Sequence, residues 1–428
     1  MTAHNTLPRP ASRAENVQRV VTPAGVEAWL VESHAVPLVA LEFAVDGGSS
    51  QDPAGKEGLA TLMGGLLDEG AGPYDSRAFH REVEDLAVHV GFGADRDQLS
   101  GHFQTLTRNL DAGFELLGLA LNAPRFDADD VARVRGQIAA GIKRDANDPD
   151  AMAAKAFRQL AFPGHVYGRA TRGELETIEG LERADCQALH AKLLSRKSLK
   201  VAVVGAIDAA TLSKKLDALF GGWPLESRLE AVPEIEMANV GRREIVELDV
   251  PQSSFRFGRG GIGRRDPDYF AAVVVNHILG GGAFTSRFFN EVREKRGLAY
   301  SVYSQLHDFR HCAALFGGAA TKNERAGETL EVVEAQCRLL GAEGPSADEL
   351  DKAKKYLTGS YALRFDTSTK IASQLVRLQL DGEEPSYLDE RNAKIDAVTL
   401  EHARAAGKRL LGDGRLLVSV VGKPEGIA

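Results

Sequence analysis

The chain has 428 residues, of which 43% are hydrophobic and 26% charged, as is ordinary for a globular protein. Its net charge of −8 argues against nucleic acid as a partner, because a phosphate-binding face needs clustered Lys and Arg. No apolar run approaches the roughly 20 residues of a membrane-spanning helix. One core rarely serves so long a chain, so we expect two domains of roughly 200 residues each.

The N-terminus and the cysteines bear on the compartment. The first twenty residues contain no apolar signal segment, so the sequence as written predicts a cytoplasmic protein. If the N-terminus has been trimmed, a periplasmic location fits as well. Cys186, Cys312 and Cys337 are odd in number and far apart, which indicates free thiols and no disulfide framework.

The first half of the chain has the pattern of strands followed by helices. The segments VEAWLVES and VPLVALEFAV alternate or run apolar, as strands do. Helices are predicted at about 55–68, 76–87, 108–121, 127–145, 150–161 and 183–194. A last strand, VAVVGAI, follows. This order predicts an α+β fold in which an antiparallel-rich sheet is covered by helices.

The second half repeats the first. Residues 178–205 and 395–422 each contain a turn, a helix, a linker and an apolar strand ending in Val-Gly. Residues 127–142 and 346–361 form another matching pair at nearly the same offset. We therefore predict an internal duplication, with two homologous α/β sandwich domains. The boundaries are placed at 1–221 and 243–428, joined by a Pro- and Gly-containing linker at 222–242.

The predicted helix at 55–68 has an unusual face. Its apolar stripe, which indicates packing on a core, consists of Leu59, Leu62, Met63, Leu66 and Leu67. The neighbouring face carries Thr61, Gly64 and Gly65. Each glycine inside a helix costs about 1 kcal/mol relative to alanine. Either close helix packing requires the small residues, or this face once held larger functional side chains.

The frame Gly-Leu-Ala-x-Leu-x-x-x-Leu, followed by an acidic Gly-rich turn, resembles the insulinase/pitrilysin family of zinc peptidases. Within it, the chain is most similar to the branch of the mitochondrial processing peptidases and their two-subunit bacterial relatives. That family carries His-x-x-Glu-His here, two zinc ligands and a general base. The resemblance places Thr61, Gly64 and Gly65 at these three positions and Gly141 at the third ligand, a glutamate. None of the four can bind zinc or take a proton near neutral pH, which implies no activity in the isolated chain.

A second motif lies in the other half, at residues 277–306. Its glycines, which permit a tight and exposed turn, are Gly280, Gly281 and Gly282. Thr285 or Ser286 is predicted to cap a helix that ends at Gly297, and an alternating strand follows. The resemblance makes the glycine turn a substrate loop.

Arg293 at the end of that helix and Tyr300 at the start of the strand match a functional pair of the family. In the family, such an Arg binds a substrate carbonyl and such a Tyr stabilises the oxyanion, both reaching the zinc site from the zinc-free domain. A fixed cation and an oriented hydroxyl suit charge that develops during acyl transfer. The alternative is a surface salt bridge and a tyrosine at the edge of the core.

The leading prediction is therefore a non-catalytic subunit of a heteromeric zinc metallopeptidase. The resemblance implies a homologous zinc-binding partner in a heterodimer, with the zinc in that partner and none in this chain. Unfolded peptides are the implied substrates, bound as an added strand mainly by the partner. Two alternatives stay open: a structural core subunit of a larger assembly, and a peptide-binding homodimer without chemistry.

Two further motifs are weak. GRGGIG at 258–263 matches a dinucleotide loop, but the required helix, strand and acidic residue do not follow it. His307 and His311 have the four-residue spacing of metal ligands. They lie between two strand-like runs, so we expect them at a hairpin tip, where that spacing does not place both on one face.

Overall fold

The computed structural model describes residues 12–427. The prediction that the sequence has no signal segment rests on the first twenty residues. Of these, residues 1–11 lie outside the described part. Within the described residues, no helix has both the length and the apolar character needed to cross a membrane. Residues 12–221 form the first half of the described chain and residues 243–427 the second.

The first half contains a six-stranded sheet with the order β1-β2-β6-β3-β5-β4. Its strands are β1 (Gln18–Val21), β2 (Glu27–Glu32), β3 (Leu38–Asp46), β4 (His89–Ala94), β5 (Gln98–Leu106) and β6 (Lys200–Gly205). Only the pair β2 and β6 is parallel. The helices are α1 (Leu59–Gly64), α2 (Ser76–Asp85), α3 (Leu110–Asn122), α4 (Ala128–Asp145), α5 (Pro149–Ala161), α6 (Leu175–Glu179), α7 (Arg183–Leu193) and α8 (Ala209–Phe220).

The second half contains a five-stranded sheet with the order β7-β11-β8-β10-β9. Its strands are β7 (Arg243–Glu247), β8 (Gln252–Gly260), β9 (Ala299–Phe309), β10 (Cys312–Lys322) and β11 (Leu417–Gly422). The helices are α9 (Tyr269–Asn276), α10 (Ala326–Glu343), α11 (Ala347–Gly359), α12 (Ser368–Leu380), α13 (Tyr387–Asp396) and α14 (Leu400–Leu411). Two π-helical segments, His277–Gly281 and Phe289–Glu294, lie between α9 and β9.

The two sheets share one topology. Without β1, the first sheet has the order β2-β6-β3-β5-β4, and each of its strands has a counterpart in the second sheet. The single parallel pair is also retained, as β2–β6 in one sheet and β7–β11 in the other. The predicted α+β fold class, with two homologous sandwiches, is therefore confirmed.

Each half packs one of its helices on the sheet of the other half. Helix α5 packs on β8 and β11 of the second sheet, and α12 packs on β3 and β6 of the first. In one contact, Phe157 of α5 joins an apolar cluster with Ala314 and Leu417. In the other, Leu375 of α12 is buried with Ala202. The second face of each sheet is thus covered by the opposite half.

The helix predicted at 55–68 is shorter in the structure, and glycine explains both ends. Gly58 has φ +97°, a left-handed conformation that favours glycine, so α1 begins only at Leu59. Regular helix ends at Gly64, after which the bonds tighten to the i−3 pattern, with Leu66 N donating to Met63 O at 3.1 Å.

Candidate functional site

Arg293 and Tyr300 lie next to each other in the structure. Ser286 caps the helical segment before them, because its hydroxyl accepts from the N–H of Phe289 at 3.2 Å. Arg293 lies in the last turn of the π-helical segment. Gly297, at φ +58°, then reverses the chain into β9, which carries Tyr300. The Arg293 Cζ lies 4.5 Å from the centre of the Tyr300 ring.

The Arg293 guanidinium is held by rings rather than by a carboxylate. Its Cζ lies 4.9 Å from the Phe289 ring centre, so the cation is near two aromatic rings. The nearest carboxylate oxygen, on Glu294, is 3.9 Å from its Nε, beyond hydrogen-bond range. Tyr300 is 83% exposed on the edge strand of its sheet. The pair therefore offers an oriented cation and a phenolic hydroxyl to a ligand.

The glycine segment differs from its prediction as an exposed turn. Gly280 and Gly282 are buried, and only Gly281 is exposed. A Cβ at Gly280 would lie 2.6 Å from the backbone N of Ser304, so close packing requires glycine there. None of the three has a positive φ; the left-handed residue is Ala283, at φ +42°.

The four positions matched to the family's zinc site lie on α1, directly after it and on α4, and these two helices contact each other. Thr61 lies on α1, and its hydroxyl donates to the carbonyl of Thr171 at 2.7 Å. Gly65 immediately follows α1, where its Cβ would lie 3.6 Å from Val134 of α4. Gly141 is on α4, with its Cβ position 3.3 Å from Nη1 of Arg172. A Cβ at the fourth position, Gly64, would come within 3.3 Å of the backbone of β4.

These residues do not fit a zinc ion. None of the four has an imidazole, thiolate or carboxylate, the donors that zinc takes in proteins. Arg172, which is ion-paired to Asp145, adds a positive charge beside Gly141. Among residues 12–427 there is no cluster of three or more His, Cys, Asp or Glu suited to a metal.

The two weak motifs do not form sites either. His307 lies inside β9 and not at the tip as predicted; its ring stacks on that of Phe309, and burial lowers its pKa. His311 is at the turn, 3.1 Å from Glu234. The segment 258–263 ends β8 and leads into α9, which continues into a π-helical turn instead of a strand.

Sequence reasoning missed a polar cavity of about 1040 Å³ between the two halves. Its wall includes Asp97, whose Oδ2 accepts from the Tyr167 hydroxyl at 2.7 Å, while the N–H of His311 donates to the same hydroxyl. Arg310 of the β9–β10 turn is ion-paired with Asp46 of β3. Its lining comes from segments far apart in the chain, so no local pattern could reveal it.

The fold matches a known architecture. A crystal structure described as a peptidase M16 inactive domain, from Pseudomonas fluorescens, superposes with a TM-score of 0.87 at 29% identity, covering 96% of this chain and 98% of that one. The family model for insulinase (peptidase family M16) matches residues 29–173, and that for the peptidase M16 inactive domain matches 180–357. The chain belongs to the insulinase, or M16, family of peptidases.

Relatives carry names of two kinds. An uncharacterized zinc protease of Mycobacterium leprae (strain TN) is 25% identical over 412 residues, which are 96% of this chain and 92% of the relative. A non-peptidase homolog of Helicobacter pylori (strain ATCC 700392 / 26695) is 26% identical over 358 residues, which are 83% and 81% of the two chains. Together with the inactive-domain matches, the second relative supports an M16 member without catalysis of its own.

Proposed function

We propose that this chain is the non-catalytic subunit of a heteromeric zinc metallopeptidase and supplies Arg293 and Tyr300 to the active site of a zinc-binding homologue. One contrast carries the proposal. The second half holds an exposed Tyr300 beside a half-buried Arg293 that has no carboxylate within hydrogen-bond range, while the matched positions in the first half lack every zinc donor. A pair suited to acyl transfer, in a chain without its metal, needs the metal from another subunit.

The two side chains divide the work on an unfolded peptide. Arg293 donates from its guanidinium edge to a carbonyl oxygen of the substrate and fixes that peptide group. Tyr300 donates its hydroxyl hydrogen bond to the oxygen on which negative charge develops. The zinc of the partner supplies the Lewis acid and the activated water. Because Arg293 lies between rings, its orientation is set before the peptide arrives.

The exposure of the pair supports a role at an interface between subunits. Tyr300 is 83% exposed, and β9 is the edge strand of its sheet. A buried pair would have to open before it could reach another subunit's site. Here Tyr300 already faces outward and Arg293 is half-buried beside it, so the hydroxyl is open to a facing subunit.

The first test measures zinc content and hydrolysis of a fluorogenic peptide, for this chain alone and mixed with a zinc-motif homologue from the same genome. We expect no zinc and no hydrolysis alone, and hydrolysis that rises on mixing above that of the homologue. Stoichiometric zinc and turnover in the isolated chain would overturn the proposal. A stable complex that adds no activity would favour the structural core subunit instead.

A further inference from the structure

A large apolar side chain lies exposed beside the proposed site. Phe284 is 71% exposed, although phenylalanine is usually buried. Its ring meets Phe289 edge to face at 5.1 Å, and Phe289 in turn lies 4.9 Å from the Arg293 guanidinium. A continuous series of ring contacts therefore joins Phe284 to Arg293 and Tyr300.

Phe284 also forms one wall of a groove of about 620 Å³ between the first π-helical turn, α10 and α11. Apolar side chains of Ile278, Leu339 and Ala353 line the groove with it. His277, at the base, stacks on Tyr356 at 5.0 Å, and burial lowers the pKa of His277, which favours the neutral imidazole. Arg287 and Glu349 also line the groove, but they are ion-paired with each other at 2.7 Å. The groove therefore combines an apolar patch with polar groups whose charges are already paired.

The charged residues of the rim neutralise one another. Lys295 is paired with Glu291 at 2.5 Å, and Lys352 with Asp348 at 2.6 Å. No single sign of charge dominates, so the rim does not select a ligand by its charge. Selection by this groove must rest on the size and the apolar character of the occupant.

The loop holds Phe284 outward in a defined way. Ala283 has φ +42°, an uncommon and strained conformation for a residue with a side chain. Thr285 offsets the strain by donating twice to the carbonyl of Gly282, from its N–H at 3.1 Å and its hydroxyl at 3.0 Å. The hydroxyl of Ser286 donates to the carbonyl of Ala283 at 3.0 Å. A strained loop with this many bonds fixes the ring on the surface.

We propose that Phe284 and the groove behind it form a specificity subsite for one large apolar side chain of the substrate peptide. The subsite rests on the proposed function, since it places that side chain near the carbonyl bound by Arg293. Contacts of 5.1 and 4.9 Å span at most about 10 Å, which is about three residues of extended peptide. A concave groove of about 620 Å³ lies within the range of ligand pockets, so it has room for a large side chain and its flanking backbone.

The test measures binding of two labelled, unstructured peptides to the full chain by fluorescence anisotropy. The peptides are identical except that one has Phe where the other has Ser. We expect the wild type to bind the Phe peptide more tightly than the Ser peptide. Phe284→Ala should lower the affinity for the Phe peptide about tenfold and leave the affinity for the Ser peptide unchanged. Leu225→Ala, which removes another exposed apolar side chain far from the groove in sequence, is the matched control and should change neither.

A third variant separates this inference from the proposed function. Arg293→Ala should lower the affinity for both peptides by the same factor, because it removes a contact to the peptide backbone and not to a peptide side chain. If Phe284→Ala leaves the preference for Phe intact, or if the wild type shows no preference or no binding, the subsite is wrong. Those results leave the mixing experiment, which tests the proposed function, unaffected.

Discussion

The connection from β3 to β4 and the connection from β8 to β9 occupy the same place in the two halves, yet they differ in chemistry. The first carries Thr61, Gly64 and Gly65, which are packed against a neighbouring segment and against β4. The second carries an exposed Tyr300 with the half-buried Arg293 against its ring. Topology persists in both connections, so the fold does not depend on which side chains are displayed there. Side chains of different chemistry can therefore occupy the same connection without loss of the architecture.

The backbone agrees even where the side chains do not. Ala87 (φ +49°) precedes β4 by two residues, and Gly297 (φ +58°) precedes β9 by two residues. Both turns are left-handed and both follow a helical segment. The duplication thus preserved an unfavourable conformation for alanine in the first half, while the second half meets it with glycine.

The largest effect should come from Arg293 and Tyr300. In the active complex, Tyr300→Phe should lower kcat/KM about 100-fold, because one donor to the developing oxyanion is lost. Arg293→Ala should lower it as well, by loss of the carbonyl contact. Tyr303→Phe is the matched control, since Tyr303 lies on the same strand and is 36% exposed. Equal kcat/KM for Tyr300→Phe and Tyr303→Phe would remove Tyr300 from the site.

Restoring the zinc donors tests the other connection. The combined Thr61→His, Gly64→Glu, Gly65→His and Gly141→Glu variant should bind zinc weakly, because Arg172 lies 3.3 Å from the Cβ position of Gly141 and would pair with the new glutamate. Adding Arg172→Ala should then raise zinc affinity about tenfold.

Zinc titration against a chromogenic chelator measures this change. The control adds Lys143→Ala, an exposed cation on the same helix. If Lys143→Ala raises the affinity as much as Arg172→Ala does, general charge and not the local guanidinium is responsible.

A smaller effect on stability is expected at the sheet face that α12 covers. Burial raises the pKa of Glu42 on β3 from its usual 4.5 to about 7. Because the folded state favours the protonated carboxyl, protonation of Glu42 stabilises the fold. This contribution is complete below about pH 4.5 and is lost as the pH rises through about 7. Glu42→Gln should therefore raise the free energy of unfolding by about 1 kcal/mol at pH 8 and by little at pH 4.

Denaturant titrations at the two pH values measure this difference. Glu115→Gln, at an exposed site on α3, is the matched control and should show no such dependence on pH. A gain for Glu42→Gln that is the same at both pH values would mean that the carboxyl does not titrate between them.

The smallest effect is expected at the paired turns. Ala87→Gly should raise the free energy of unfolding by about 0.5–1 kcal/mol, and Gly297→Ala should lower it by a similar amount. A Cβ at Gly297 would meet no atom within 4 Å, so any loss reports backbone conformation and not a clash. Thermal unfolding of both variants checks this. Opposite signs in the two halves confirm the equivalence of the turns, and equal signs refute it.

Local patterns predicted much of this molecule. Ser286, one of the two predicted caps, does cap its helical segment, and the repeated helix-to-strand segments indicated the duplication, because these features depend on neighbours in sequence. The length of α1 was overestimated because the left-handed Gly58 leaves no apolar signature. The packing of α12 on β3 joins residues more than 300 positions apart, and only the folded chain contains that information. Phe284 has a large apolar side chain of the kind that is usually buried, so its exposure could not be predicted either.

The exchange of α5 and α12 sets an order of events during synthesis. Ala202 and Trp29 of the first half are covered only when α12, which ends at Leu380, has left the ribosome. Until then, an apolar sheet face is open to other nascent chains. The sheet of the first half therefore stays partly uncovered until nearly the whole polypeptide has been synthesised. Its burial is complete only when α12 packs on it.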